Sequence, residues 1–85
     1  MEIVLLPDAD KDLNFWEKTG NKSILKKIAQ LITVIKETPF DGIGKPEPLK
    51  YALRNCWSRR INQEHRIIYE VVEGVILIHS LKGHY

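Results

Sequence analysis

Six side chains in this 85-residue chain combine reactive chemistry with positions that could bring them together: Glu47, Lys50, Arg60, Arg66, His84 and Tyr85. Glu47 is held between Pro46 and Pro48, on a stretch leading into the C-terminal half. Arg60 and Arg66 stand either side of a short turn, and guanidinium forks match phosphate oxygens without losing their charge at cellular pH. His84 and Tyr85 close the chain. Cleaving RNA without a metal takes a base for the 2′-OH proton, a cation for the phosphorane and an acid for the departing 5′ oxygen. In that reading Glu47 is the base, Arg66 the stabiliser with Arg60 and Lys50 assisting, and His84 the acid. Taken one at a time, each has an ordinary role: Glu47 a solvated loop acid, the arginines surface charges on a sheet, His84-Tyr85 a frayed terminus.

The charge distribution bears on the same question. The net charge is only +2. Between residues 45 and 66, however, six basic groups (Lys45, Lys50, Arg54, Arg59, Arg60, Arg66) meet only Glu47 and Glu64, a local net of +4. The segments on either side each carry −1. Clustered Arg and Lys suit a phosphate backbone, and they also suit an ordinary solvated face.

Other chemistries are poorly served. One cysteine, Cys56, rules out an internal disulfide and a Cys-rich metal cluster. Beside Trp57 it reads as a packing residue, since a nucleophilic thiol wants a positioned base and the sequence singles none out. His65 and His79 read as structural, and no histidine has metal-ligand spacing, so no metal is expected. The longest aliphatic runs, Ile3–Leu6 and Val75–Ile78, fall far short of the ~20 residues that span a bilayer. Met1-Glu2 lacks the basic start of a signal peptide, which makes the cytoplasm the expected location.

The elements that must position the six residues follow from periodicity. Met1–Leu6 reads as a strand closed by Pro7. Asp8 and Asp10 favour a helix start, Ala9, Leu13 and Trp16 share one face, and Gly20 ends that helix. A second helix begins near Asn21 or Ser23. Its stripe is Ile24, Ile28, Leu31, Ile32 and Ile35, and Thr38-Pro39 stops it. Asp41–Pro48 is a loop rich in Gly and Pro. Trp57–Ile61, His65–Val72 and Val75–Leu81 then read as three strands, joined by Asn62-Gln63-Glu64 and Glu73-Gly74. The order β-α-α-β-β-β, with residues 1–85 as one domain, is an α+β fold: two N-terminal helices packed on a twisted antiparallel sheet. Alternation along a strand puts Ser58 and Arg60 on one face, with Trp57, Arg59 and Ile61 on the other. The Ile67/Tyr69/Val71 face reads as core, so Arg66 points away from the helices.

Thr38-Pro39-Phe40, Gly44-Lys45-Pro46-Glu47-Pro48-Leu49-Lys50, Trp57-Ser58-Arg59-Arg60-Ile61, Glu64-His65-Arg66 and the terminal His84-Tyr85 together resemble the YoeB/Txe toxin family. The resemblance runs essentially end to end, and five motifs in register make it specific. It implies a RelE-like fold, a YefM-like antitoxin partner, a possible homodimer, and cleavage of mRNA in the ribosomal A site with no cofactor. It also implies that Glu47 is the general base, Arg66 the transition-state arginine and His84 the general acid. Lys50, Arg60 and Tyr85 fall to substrate binding, with Tyr85 helping to hold the base.

Two stretches depart from the family pattern. Arg54-Asn55-Cys56 replaces a small, Gly-containing turn, and Leu81-Lys82-Gly83 replaces bulkier residues before the terminal pair. Gly83 is expected to leave that pair free to move until RNA and ribosome are present. The competing reading is a non-enzymatic binding toxin on the same scaffold, like the gyrase-directed ParE proteins, which lack the acid–Arg–His set. A plain RNA-binding module has no use for Glu47 among positive charges.

Overall fold

In the computed structural model, which describes residues 1–83, two helices cover one face of a five-stranded sheet. The elements run β1 (Glu2–Leu5), α1 (Pro7–Lys18), α2 (Lys22–Glu37), β2 (Glu47–Pro48), a 3-10 turn (Tyr51–Leu53), β3 (Cys56–Arg60), β4 (Arg66–Val72) and β5 (Val75–Ser80). Spatially the strands lie β1-β5-β4-β3-β2. The expected order of elements is present, with boundaries shifted by a residue or so. No helix among the described residues is long and apolar enough to cross a membrane.

The helices start where the sequence places their caps. Pro7 occupies the first turn of α1, where a missing N–H costs nothing, and Asp8 and Asp10 face the positive end of the helix dipole. The Asn21 side chain accepts a hydrogen bond from the Ile24 N–H at 3.2 Å and caps α2. One face of each helix then buries against the sheet. Ala9, Trp16, Ile24, Ile28, Leu31 and Ile35 meet Ile61, Ile67, Tyr69, Ile76, Ile78 and Leu81 in one core.

Two features of the sheet go beyond the sequence pattern. β1 pairs with β5 in parallel, Ile3 opposite Ile76 and Leu5 opposite Ile78, so the sheet is mixed. A parallel pair needs a crossover, which the intervening elements provide. The end of the expected Asp41–Pro48 loop is also a short strand. Glu47 pairs with Ser58 and Pro48 with Trp57. Prolines are tolerated there because β2 is an edge, with one side left unpaired.

The remaining strands are antiparallel and joined by turns with clear chemistry. Glu73 and Gly74 both have positive φ (45° and 81°), as a two-residue turn of type I′ between β4 and β5 requires. Between β3 and β4, the Asn62 side-chain oxygen accepts from the N–H groups of Glu64 and His65 at 2.9 and 2.7 Å. Such an Asx turn supplies locally the bonds that a ladder would otherwise make.

Candidate active site on the outer face of the sheet

Register decides which side chains meet. In β3 and β4, Arg60 lies opposite Arg66, Ser58 opposite Ile68 and Cys56 opposite Glu70. Directly opposed residues share a face, and alternation therefore puts all six on the side away from the helices. β2 adds Glu47, opposite Ser58. The chain beside β3 is held by bonds from Arg60 N–H to the Gly44 carbonyl (2.7 Å) and from Leu49 N–H to the Cys56 carbonyl (2.9 Å).

Glu47 and Arg66, 19 residues apart in sequence, thereby come together. Arg66 Nη1 stands 3.4 Å from Glu47 Oε2 and 3.4 Å from the Ser58 hydroxyl. Both contacts are long for hydrogen bonds, so neither group is locked against the other. The Glu47 side chain is 63% exposed and that of Arg66 20%. A half-open carboxylate beside a largely enclosed guanidinium can take a proton from one substrate atom while the cation holds an adjacent oxygen. Arg60, exposed across the strand from Arg66, adds a second positive charge. Lys50 is exposed in the stretch between β2 and the 3-10 turn.

His84 and Tyr85 lie outside the described residues, but the residue before them is firmly placed. The Gly83 carbonyl accepts from Arg66 N–H at 2.8 Å, and Gly83 N–H donates to His65 Nδ1 at 3.0 Å. His65 is itself packed edge-on against Trp16, with ring centroids 4.8 Å apart. One residue pair earlier, Leu81 is clamped to α1. Its carbonyl accepts from the Trp16 indole N–H, and its own N–H donates to Asp12, both at 2.9 Å. The expected freedom of the terminal pair therefore falls outside the described residues, while Gly83 itself has a φ of 81°, a conformation only glycine adopts easily, and two hydrogen bonds hold it. The chain is delivered to the backbone of Arg66.

Arg59 is the residue whose importance the sequence left unread. It is fully buried on the helix-facing side. Its guanidinium donates to the Tyr69 hydroxyl (3.1 Å) and to the carbonyls of Ile43 (3.1 Å), Asp41 (2.8 Å) and Thr38. Tyr69 in turn donates to the Pro39 carbonyl at 2.6 Å. Burial pushes the Tyr69 phenol up, against the opposing pull of Arg59, which keeps that proton in place. Burying a guanidinium is costly unless its donors are satisfied, and here they tie down the segment leading to Glu47. Gly42 and Gly44 let that segment approach. A Cβ on Gly44 would come within 3.0 Å of Leu31 and 3.2 Å of the Arg59 Cβ. A charged residue at a strand position between Trp57 and Ile61 was the signal that could have found it.

The remaining candidates take structural places. Cys56 is buried, and that burial, followed by the nearby Glu70 carboxylate, pushes its thiol up, the reverse of what a nucleophile needs. His79 bonds to Glu70 at 3.0 Å. Ser58, fully buried beside Arg66, is a further member of the site that alternation with Arg60 already pointed to.

Along its whole length the chain is similar to proteins of one family. Residues 6–85 match the family described as YoeB-like toxin of bacterial type II toxin-antitoxin system. Toxin YoeB of Escherichia coli K12 is 44% identical over 85 residues, all of both chains. A YoeB/ParE toxin from Agrobacterium tumefaciens superposes with a TM-score of 0.93 at 38% identity, covering both chains completely. A YoeB-YefM complex from Staphylococcus aureus contains a chain with a TM-score of 0.90 at 42% identity, covering 100% of this chain and 98% of that one. A YoeB dimer from the same organism gives 0.91 at 41%, with the same coverage.

Proposed function

The chain belongs to the YoeB-like toxins of bacterial type II toxin–antitoxin systems, and from that premise we propose that it is a ribosome-dependent endoribonuclease that cuts mRNA in the A site and so stops translation. The observation carrying this reading is the 3.4 Å approach of the Glu47 carboxylate to the Arg66 guanidinium on the open face of the sheet, with Arg60 beside it. A binding module gains nothing from an acid set against its phosphate-binding cations.

The chemistry is general acid–base transfer and needs no metal. Glu47 takes the 2′-OH proton, and the 2′ oxygen attacks the adjacent phosphorus. Arg66, assisted by Arg60 and Lys50, holds the phosphorane oxygens as negative charge builds there. His84 protonates the 5′ oxygen as the P–O5′ bond breaks, leaving a 2′,3′-cyclic phosphate upstream and a 5′-OH downstream. Tyr85 offers a ring on which the unstacked base rests. Delivery of Gly83 to the Arg66 backbone supports these last two roles, because His84 follows it directly. The protein acts in the cytoplasm, where its substrate is. Its antitoxin is a YefM-like protein that covers or displaces the catalytic groups, and a second toxin chain is a further partner. The Staphylococcus aureus complex and dimer support both partners.

The test is a translation extract with a reporter mRNA, comparing the natural chain with Glu47→Gln and mapping cleavage positions. Loss of a general base lowers the rate by about 10²–10⁴. The fold should survive, because the Glu47 carboxylate is mostly exposed and its 3.4 Å contact to Arg66 is long, so the pair is worth at most about 1 kcal/mol. Undiminished cleavage by Glu47→Gln overturns the base assignment. Undiminished toxicity with no cleavage by either protein points instead to a non-enzymatic toxin.

A further inference from the structure

The outer face carries a second cluster that the proposed chemistry does not use. Cys56, Glu70 and His79 each place one ligand atom within 4.8 Å of the other two. They come from three consecutive strands: Cys56 of β3 is opposite Glu70 of β4, and His79 of β5 reaches the Glu70 carboxylate at 3.0 Å. The β4–β5 register shifts between Ile68 and Tyr69, so that Ile68 pairs with Ser80 and Tyr69 with Ile78, leaving His79 as the extra residue of a bulge. Bulges commonly re-aim a side chain at a site. In sequence the three lie 14 and 9 residues apart, with no ligand-motif spacing, and only the sheet assembles them.

We propose that Cys56, Glu70 and His79 form a binding site for a divalent transition-metal ion of the zinc class, beside the catalytic groups and distinct from them. The donor set is one sulfur, one carboxylate oxygen and one imidazole nitrogen, a combination that selects zinc over magnesium or calcium. Ligand atoms around a tetrahedral zinc stand about 3.3–3.8 Å apart, given zinc–ligand distances of about 2.0–2.3 Å. Contraction by roughly an ångström therefore closes the site, and side-chain rotation of His79 and Glu70, both part-exposed, supplies it. The ion takes the place between Glu70 and His79 now bridged by their hydrogen bond, and the Cys56 thiol gives up its proton on binding. Three protein ligands leave a fourth position open, as in zinc sites that bind a further small ligand. Cys56 is two residues from Ser58 along β3, about 7 Å. The ion would thus add positive charge to the face carrying Arg66 without replacing any group of the acid–base set.

The test uses the full chain, reduced and stripped of metal, titrated with Zn²⁺ alone and with Co²⁺ as a spectroscopic probe. No RNA or ribosome is needed, so the outcome does not depend on the nuclease reading. One ion per chain is expected, with a thiolate-to-cobalt charge-transfer band that only Cys56 can supply, as the chain has one cysteine. Glu70→Gln and His79→Gln should each weaken binding by at least about tenfold, the lower end of what losing even an outer-shell partner costs. Cys56→Ser should abolish the band. Absence of the band in the natural chain overturns the site. So does unchanged affinity in both Glu70→Gln and His79→Gln, since the thiol would then be binding metal by itself.

Discussion

The two neighbouring arginines of β3 show how one side chain's chemistry is set by which face it occupies. Arg60 and Arg59 differ by one position, which in a strand means opposite sides. Arg60 faces solvent beside Arg66, free to meet phosphate. Arg59 is sealed against the helices, and its charge is spent on a phenol and three main-chain carbonyls. Removing it would take the donor from a buried phenol oxygen and three part-buried carbonyls, and a buried group left without its partner costs about 1–3 kcal/mol. Arg59→Met should therefore destabilise the fold by at least about 3 kcal/mol, seen as a lowered denaturant midpoint. Any part of the chain still folded should cleave poorly, because the segment carrying Glu47 loses its anchor. A midpoint within error of the natural chain would mean that the 38–44 segment is held by other contacts.

At the scale of elements, the C-terminus is the part most dependent on its surroundings. A chain ending straight after a strand normally frays, and losing two residues from it costs little. Here α1 grips Leu81 through Trp16 and Asp12, and the start of β4 grips Gly83 through His65 and Arg66. None of these contacts involves His84 or Tyr85. A chain ending at Gly83 should accordingly keep its melting temperature and lose cleavage, by about 10²–10⁴ if His84 is the general acid. Imidazolium is the side chain best matched to protonate an alkoxide near neutral pH. Full cleavage by the shortened chain would refute that role. Loss of fold together with activity would transfer the question to His84→Gln.

Across the whole molecule the two faces of the sheet do different work. The inner face carries the apolar core and the buried Arg59, while the outer face gathers Glu47, Ser58, Arg60 and Arg66, with Cys56, Glu70 and His79 next to them. The two outer-face clusters make separable predictions. If the acid–base set does the cleavage, single-turnover cutting on pre-assembled ribosomes should persist in chelator and leave a 5′-OH downstream. Metal stripped from the Cys56 cluster would not stop it. A 5′-phosphate product, or strict loss of cutting in chelator, would place a metal in the reaction and remove Glu47 from the role of base.

Periodicity was enough to place both helices, the three long strands and the face on which Arg60 and Arg66 stand, because burial of one stripe or one side dictates those patterns. The family motifs drew Glu47, Arg66 and His84 into one set. What the sequence could not contain was register and pairing, which depend on contacts between residues distant in the chain. Glu47 reaches Arg66 because β2 pairs with β3 at Ser58, and a two-residue strand between prolines has no period to read. Arg59 became a buried strut because four oxygens from residues 38–43 and 69 converge on it, and no local pattern announces that convergence. Cys56, Glu70 and His79 are ordinary strand residues until a bulge in β5 and the alignment of three strands bring sulfur, oxygen and nitrogen within 4.8 Å.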